Sequence, residues 1–312
     1  MQQLISVLMS TYKEPIEWIQ KSINSILRQT YKNIELIVVV DNPNYDTLIK
    51  YLSELQNEDE RVKVIKNEQN RGLVWSLNHG FTFCEGNFIA RMDADDISAL
   101  ERLEIQYEYI EKMNYDLVGS GLQFFWEDEK LQSIEVKTDN DSCMEMLRKA
   151  CSSPHPTWLF RREVFEKLGG YRDIDSCEDL DFLHRAAQRG FKMGNVNKIL
   201  LQYRNNPNSI SHLKVDKQRT TRYYLTKQYR KKHPVTYEEY MDYMNGKQYK
   251  VDEKQVEQIN QWEMYIENNK GSTIKKAEGL IHLFGKPLYL IEFKEKVRGK
   301  LVTIKLERKA LR

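Results

Sequence analysis

Short apolar runs alternate with stretches of helical periodicity along the first hundred residues. The runs at 4–9, 34–40, 62–66 and 87–90 are bounded by polar residues, and the first two are almost entirely apolar. Continuous apolar runs of this length are typical of strands buried on both faces of a parallel sheet. Four parallel strands are therefore predicted in the first third of the chain.

Between these runs, apolar residues recur at the spacing of amphipathic helices. The stretches 16–27, 47–55 and 73–83 have this pattern, and Pro15 precedes the first of them, where proline suits a helix start. Strands that alternate with helices predict an α/β fold with a mostly parallel, doubly wound sheet.

The pattern changes after residue 117. Apolar runs at 122–126 and 158–161 predict strands, and 141–150 and 179–189 predict helices. Beyond residue 212 the chain becomes polar and helical, with helices predicted at 220–232, 237–244, 251–269 and 273–284. These changes predict a catalytic domain at 1–214 and a helical C-terminal region at 215–312.

Charge is distributed unevenly although the chain carries a net charge of only +2. From Gly271 onward, eleven Lys and Arg residues stand against four Asp and Glu residues. Apolar and basic residues are interleaved in 273–312, which predicts an amphipathic tail that contacts an anionic membrane surface or another subunit. Packing of the tail on the catalytic domain is the alternative. No pairing of aromatic and basic residues indicates nucleic-acid binding.

The start of the chain and the cysteines indicate a cytoplasmic location, and the basic tail adds the expectation of peripheral contact at the inner face of the membrane. The chain starts without a signal peptide, and no run reaches the roughly 20 apolar residues of a membrane-spanning helix. The four cysteines form no C-x-x-C pair, which is typical of reduced thiols and disfavours zinc.

Three carboxylates, those of Asp93, Asp95 and Asp96, follow the strand predicted at 87–90. Like charges this close are unfavourable unless a cation binds them, and oxygen ligands suit Mg²⁺ or Mn²⁺. Such a cation would bridge the phosphates of a nucleoside diphosphate. The alternative is a solvated acidic turn that caps the following helix.

Polar residues also follow the first two predicted strands. Ser10, Thr11 and Tyr12 follow the first, and Asp41 follows the second. Ligands of open α/β sheets bind beyond the carboxyl ends of the strands. A phenol ring can flank a nucleobase, and an aspartate can accept a hydrogen bond from uracil or ribose. The alternative is that Thr11 and Tyr12 only form the turn into the next helix.

Six motifs occur in a fixed order and together resemble glycosyltransferase family 2, whose members have the GT-A fold. They are SVLMSTY at 6–12, ELIVVVD at 35–41, NRG at 70–72, LNHG at 77–80, GNFIARMDADD at 86–96 and ED at 178–179. The resemblance covers residues 4 to about 212. Asp41 is followed by Asn-Pro-Asn, where members often have Asp-Gly-Ser, and Leu77 stands where many have arginine. Arg71 and Arg91 are candidates to neutralise phosphate instead.

The resemblance implies roles for these positions. Ser10, Thr11, Tyr12 and Asp41 would hold the nucleoside, with Asn78 and Asp93 as further donor contacts. Asp93 and Asp95 match the D-x-D metal motif, Asp96 would share that role, and His212 stands where a late metal ligand can occur. Asp179 matches the general base of inverting members, and Glu178 would orient the site. His155 falls in a segment that would line the acceptor cleft.

The predicted function is that of an inverting, metal-dependent hexosyltransferase that uses Mn²⁺ or Mg²⁺. It would transfer a sugar, most commonly from a UDP-sugar, to a hydroxyl of a glycan or lipid-linked glycan during synthesis of a bacterial surface polysaccharide or glycoconjugate. A sugar nucleotidyltransferase is the enzymatic alternative, although 10–14 lacks the glycines of a phosphate loop. A non-catalytic nucleotide-binding scaffold is the other. The absence of G-x-G-x-x-G disfavours a dinucleotide oxidoreductase.

Overall fold

The chain forms two units in a computed structural model that describes residues 2–127, 129–206, 215–269, 271–290 and 293. One unit consists of Met1–Ile174 and Glu178–Ser209, and the other of Asp175–Cys177 and Ile210–Arg312. The boundary predicted after residue 214 borders on residues 207–214, outside the described part, and it stays a prediction.

The first half of the first unit is a parallel βα repeat. Its elements are β1 (Ile5–Thr11), α1 (Ile16–Leu27), β2 (Ile34–Val40), α2 (Asp46–Glu58), β3 (Val62–Lys66), α3 (Leu73–Phe81) and β4 (Phe88–Asp93). β1 lies between β2 and β4, and β3 pairs with β2, all in parallel. Every residue of β2 is buried, which explains its continuous apolar run. The predicted elements of this half are confirmed.

The second half adds elements of both directions. They are β5 (Ile97–Ser98), α4 (Arg102–Met113), β6 (Leu117–Trp126), β7 (Glu129–Ile134), α5 (Asn140–Met146), a 3₁₀ turn (His155–Thr157), β8 (Leu159–Arg161), α6 (Arg162–Leu168), α7 (Glu178–Gln188) and β9 (Met193–Arg204). β8 runs antiparallel to β4 and β6, while β9 runs parallel to β6. The α/β prediction is confirmed, and the sheet is parallel over β1–β4 and mixed beyond.

The described sheet has the strand order β3-β2-β1-β4-β8-β6-β9-β5, with β7 paired to β6. The sequence pattern did not predict β5, β7 or β9. Each residue of β7 is exposed, and β9 mixes buried and exposed positions, so neither forms a continuous apolar run. Pairing with β6 makes these segments strands, and that contact is invisible to local periodicity.

The second unit is helical in its described residues, as predicted. It contains α8 (Val215–Arg230), α9 (Tyr237–Asn245), α10 (Lys247–Asn268) and α11 (Thr273–Phe284). A small core joins α8, α10 and α11, formed by Tyr223, Val256, Ile259, Leu283 and Leu288. No helix in the described residues combines the length and apolar character needed to cross a bilayer.

Candidate functional site

The carboxyl ends of β1 and β2 meet at Thr11 and Asp41. The Asp41 N–H donates to the Thr11 carbonyl at 2.8 Å. The buried Asp41 carboxylate accepts from the Asn67 amide at 2.7 Å and from the backbone N–H groups of Arg71 and Gly72, each at 2.8 Å. It therefore satisfies amides at the start of α3. Among the described residues Oδ2 accepts a single bond and retains acceptor capacity, and the predicted contact with a nucleoside stays a prediction.

The turn after β1 is closed by Glu14, which the sequence did not single out. One carboxylate oxygen of Glu14 accepts from the Thr11 hydroxyl and from the Tyr12 N–H, both at 2.7 Å. The Thr11 side chain is buried in this turn, whereas the Tyr12 side chain is 39% exposed. Ser10 pairs with Asp93 across the parallel β1–β4 register. Of the three predicted nucleoside contacts, Tyr12 presents the most accessible side chain.

Asn78 connects α3 to the segment before α7. Its amide donates to the Tyr171 carbonyl at 2.9 Å, and its Oδ1 accepts from the Tyr171 N–H at 2.9 Å. Gly170 has φ +81°, and a Cβ there would meet Asn78 Oδ1 at 2.6 Å, so glycine is required for this contact. Asn78 thus bonds to protein backbone with both ends of its amide, and its contact with the donor stays a prediction.

The acidic turn, Asp93–Asp96, follows β4 and is held by two arginines. The buried Arg91 guanidinium forms an ion pair with Asp93. Arg204, the last residue of β9, donates from its backbone N–H to Asp96 Oδ1 at 2.9 Å and from Nε to the Asp95 carbonyl at 2.9 Å. Arg204 was not predicted, because its contact depends on a strand that the pattern did not reveal.

Aromatic rings fix the position of Arg204. Its Cζ lies 4.3 Å from the ring centroid of Trp18 and 4.4 Å from that of Phe125. The residue is only 5% exposed. Two cation–π contacts offset part of the cost of burying the guanidinium. The charge of Arg204 is therefore held beside the acidic turn.

Burial and mutual repulsion perturb the acidic turn. Burial, followed by the charges of Asp93 and Glu14, raises the pKa of Asp95 to about 7. Burial, followed by the charges of Asp95 and Asp93, also raises the pKa of Asp96 well above its usual value. Asp96 Oδ2 is buried without a hydrogen-bond partner among the described residues. This uncompensated negative charge fits a site that a divalent cation would complete.

The predicted metal ligands are only partly brought together. Within the described ranges, no group of three His, Cys, Asp or Glu side chains forms a metal-binding cluster. His212 lies outside the described residues, and the Asp96 carboxylate is enclosed by protein. Asp93 and Asp95 remain the partly exposed members of the turn. The ligand set of Asp93, Asp95, Asp96 and His212 stays a prediction.

The predicted catalytic pair opens α7. Burial, followed by the charge of Asp179, raises the pKa of Glu178 to about 8, with a further contribution from Asp93 and an opposing one from Arg91. Burial also raises the pKa of Asp179. Asp179 Oδ1 accepts from the Leu180 N–H at 2.6 Å, and Oδ2 accepts from the Cys151 thiol at 3.2 Å. Glu178 is therefore within electrostatic range of Asp93.

His155 and Tyr171 lie beside this pair. His155 Nε2 and the Tyr171 hydroxyl are 2.8 Å apart, and the His155 ring packs 4.6 Å from that of Trp158. Burial, followed by the charge of Arg91, lowers the pKa of His155 well below its usual value. A neutral, packed imidazole supports the wall of the site but is unsuited to being a cationic acid.

Comparison with known proteins gives the family. The model of glycosyl transferase family 2 matches residues 6–169, more than half of the chain. The chain belongs to glycosyltransferase family 2. The matched segment contains five of the six motifs on which the predicted resemblance depends, including the acidic turn, whereas the Glu178–Asp179 motif lies beyond its end. The family prediction, and with it the prediction of a glycosyltransferase enzyme, is confirmed.

Curated relatives of this chain are also named glycosyltransferases. An uncharacterized glycosyltransferase of Methanocaldococcus jannaschii is 34% identical over 230 residues, covering 72% of this chain and 78% of that protein. The O-antigen biosynthesis glycosyltransferase WbnJ of Escherichia coli is 32% identical over 204 residues, covering 64% of this chain and 79% of that protein. These alignments extend beyond the part that the family model matches.

Solved structures support the fold of this glycosyltransferase. TarS 1–349 of S. aureus in complex with UDP-GlcNAc superposes with a TM-score of 0.60 at 18% identity, covering 81% of this chain and 70% of that chain. The mannosyltransferase PcManGT from Pyrobaculum calidifontis, in complex with GDP-Man and Mn²⁺, gives 0.58 at 14% identity, covering 94% and 84%. The predicted GT-A fold is confirmed.

Proposed function

We propose that this glycosyltransferase is inverting and metal-assisted, and that it transfers a sugar from a UDP-sugar to a glycan hydroxyl. The observation that carries the proposal is that two clusters of carboxylates lie within electrostatic range of each other. The acidic turn follows β4, and Glu178 and Asp179 open α7, with Asp93 influencing the pKa of Glu178. The acidic turn is suited to bind a cation, and the pair Glu178 and Asp179 is suited to accept a proton.

The donor would lie over the carboxyl ends of β1, β2 and β4. The remaining acceptor capacity of Asp41 and the exposed ring of Tyr12 suit a nucleobase and its ribose. The TarS complex with UDP-GlcNAc supports UDP as the nucleotide of the donor. The PcManGT complex with GDP-Man makes GDP the alternative nucleotide to test.

Asp93 and Asp95 would hold the cation, with Asp96 supporting the turn from within the protein and His212 as a further ligand. When bound, Mn²⁺ or Mg²⁺ would offset the negative charge that develops on the departing diphosphate. The Mn²⁺ of the PcManGT complex supports this choice of cation. Arg204 would keep the turn in place through its bonds to Asp95 and Asp96.

Asp179 would accept the proton of the attacking hydroxyl. Its raised pKa brings a carboxylate closer to neutrality, where a general base is most effective. Attack from the face opposite the diphosphate inverts the anomeric carbon. Glu178, whose pKa is about 8, would be protonated at neutral pH and could donate a hydrogen bond that orients the acceptor.

The acceptor would be a glycan or lipid-linked glycan of a surface polysaccharide. The names of WbnJ and of the amylovoran biosynthesis glycosyltransferase AmsE of Erwinia amylovora support this class. Two isoleucines of α11, Ile274 and Ile281, are 83% and 73% exposed, and the same helix carries Lys275 and Lys276. This surface supports a cytoplasmic enzyme in peripheral contact with an anionic membrane, with contact to a second copy as the alternative.

A thermal-shift panel of UDP-sugars and GDP-sugars with and without Mn²⁺ tests the donor class. We expect stabilisation by a UDP-sugar that depends on Mn²⁺, because ligands that bind the folded state stabilise it. The donor identified in this way is then incubated with glycan acceptors, and the anomeric configuration of the product is read by NMR. A product that retains the donor's configuration contradicts the inverting mechanism. In a separate incubation with UTP and a sugar 1-phosphate, formation of the UDP-sugar with release of pyrophosphate would indicate the nucleotidyltransferase.

A further inference from the structure

A thiol lies against the carboxylate that we assign as the base. Cys151 Sγ donates to Asp179 Oδ2 at 3.2 Å. Cys151 is partly exposed, whereas Cys84, Cys143 and Cys177 are buried. The contact joins the segment between α5 and the 3₁₀ turn to the start of α7, 28 residues away.

The two oxygens of Asp179 are held by different parts of the chain. Oδ1 accepts from the Leu180 N–H, which belongs to the same helix turn. Within the described residues, Cys151 is the one side chain that donates a hydrogen bond to Asp179. The Leu180 N–H therefore holds Oδ1 and the Cys151 thiol holds Oδ2, and together they limit rotation of the carboxylate.

We propose that Cys151 is a positioning residue that holds the Asp179 carboxylate in the orientation from which it accepts the acceptor's proton. The inference rests on the proposed role of Asp179 as the base. Oδ2 has a second lone pair, so it can accept from the thiol and from a substrate hydroxyl together. Removing the thiol would leave the carboxylate free to rotate away from the hydroxyl.

The surrounding charges make the thiol contact important. The charge of Asp181 on α7 disfavours the charged form of the base, and the charge of Asp179 in turn raises the pKa of Glu178, while the Tyr171 hydroxyl pairs with His155. The charge of Asp181 is already paired, since Arg172 Nε and Arg185 Nε donate to it at 3.0 and 2.8 Å. No ion pair joins Asp179 to a cation among the described residues. A hydrogen bond to the charged form lowers a carboxylate's pKa, and the thiol acts in this direction on Asp179.

Substitutions of Cys151 distinguish a role in positioning the base from a role in packing. We expect Cys151→Ala to lower kcat/KM for UDP-GlcNAc hydrolysis with Mn²⁺ about 3- to 10-fold, within the range of a lost positioning contact. The acidic limb of its pH profile should move to higher pH, because the charged base loses a donor. Cys151→Ser keeps a hydrogen-bond donor, so it should have the kcat/KM and the pH profile of the wild type. Cys84→Ala, which removes a buried thiol that bonds to the Gly80 carbonyl, is the matched control.

Alkylation of Cys151 tests its hydrogen bond to Asp179 without any sugar-nucleotide donor. Iodoacetamide reacts when the thiolate attacks its methylene carbon, forming a C–S bond and releasing iodide. The Asp179 charge should suppress the thiolate of Cys151, so Asp179→Asn should accelerate its alkylation about 3-fold or more at pH 7, measured by peptide mass spectrometry.

The outcomes distinguish this inference from the proposed function. Wild-type hydrolysis by Asp179→Asn would overturn the base assignment itself. An inactive Asp179→Asn, together with a Cys151→Ala variant that matches wild type in rate and pH profile, would overturn only the positioning role. An alkylation rate that Asp179→Asn leaves unchanged would overturn the contact, whichever donor the enzyme uses.

Discussion

The acidic turn after β4 and the carboxylate pair that opens α7 use the same chemical group in opposite surroundings. In the turn, Arg91 forms an ion pair with Asp93, and Arg204 bonds to the two following aspartates. In the pair, no arginine or lysine forms an ion pair with Glu178 or Asp179 within the described ranges. Both pKa values are raised, as are those of Asp95 and Asp96 in the turn, so the clusters differ in their arginine contacts. Arginines hold the turn, but Asp96 Oδ2 has no hydrogen-bond partner among the described residues, so a divalent cation would complete this cluster. The pair is suited instead to exchange a proton near neutrality.

The largest expected effect is on the α7 pair. Asp179→Asn retains shape and hydrogen bonding but removes the basic group, so sugar transfer should fall about 10²- to 10⁴-fold. Binding of UDP and Mn²⁺, measured by calorimetry, should be retained because these ligands would lie at the acidic turn. Asp173→Asn changes an exposed aspartate of the preceding segment and is the control. Near-normal transfer by Asp179→Asn would remove the distinction between the two groups.

The next effect concerns the acidic turn. Asp95→Asn should weaken Mn²⁺-dependent UDP binding by at least about 10-fold, equivalent to about 1.4 kcal/mol, because a charged ligand of the cation is lost. Isothermal calorimetry with UDP at fixed Mn²⁺ measures it. Glu101→Gln, an exposed acid shortly after the turn, should leave the affinity unchanged. If Asp95→Asn binds UDP with unaltered metal dependence, the cation site is elsewhere.

Arg204 tests how far the turn depends on its arginine. Arg204→Lys keeps the positive charge but loses the Nε bond to the Asp95 carbonyl and the planar contact with Trp18 and Phe125. We expect a loss of about 1–2 kcal/mol in the free energy of unfolding, measured with urea. Lys198→Arg, on an exposed position of the same strand, should have little effect. Equal stability of wild type and Arg204→Lys would mean that charge alone holds the turn.

The smallest effect is a pH dependence. Glu178 has a folded-state pKa of about 8 against an ordinary value of 4.5, so folding favours its protonated form between these values. Its contribution to stability is complete below the lower value and is lost as the pH rises towards 8. The melting temperature of Glu178→Gln relative to wild type should therefore rise between pH 5 and 8, by the equivalent of about 1 kcal/mol after allowance for partial exposure. A constant difference would contradict the raised pKa.

The two halves of the sheet also differ in how well their strands could be predicted from the sequence pattern. β2 and β3 were predicted with the bounds that the structure shows, since they belong to the repeating βα pattern, in which every residue of β2 is buried. β7 and β9 were missed, because they become strands only by pairing with β6. Contacts that depend on such pairing, like those of Arg204, were missed with them.

The sequence by itself determined the βα repeat, the family and the positions of the two carboxylate groups, because periodicity and ordered motifs are local properties of the chain. Only the tertiary structure decided what surrounds those groups. It engages Asp41 with the start of α3, encloses Asp96 and brings the Cys151 thiol to Asp179. These outcomes depend on burial and on contacts between residues distant in the chain. Burial and distant contacts set the pKa and the orientation of a carboxylate, and neither can be read from its neighbours in sequence.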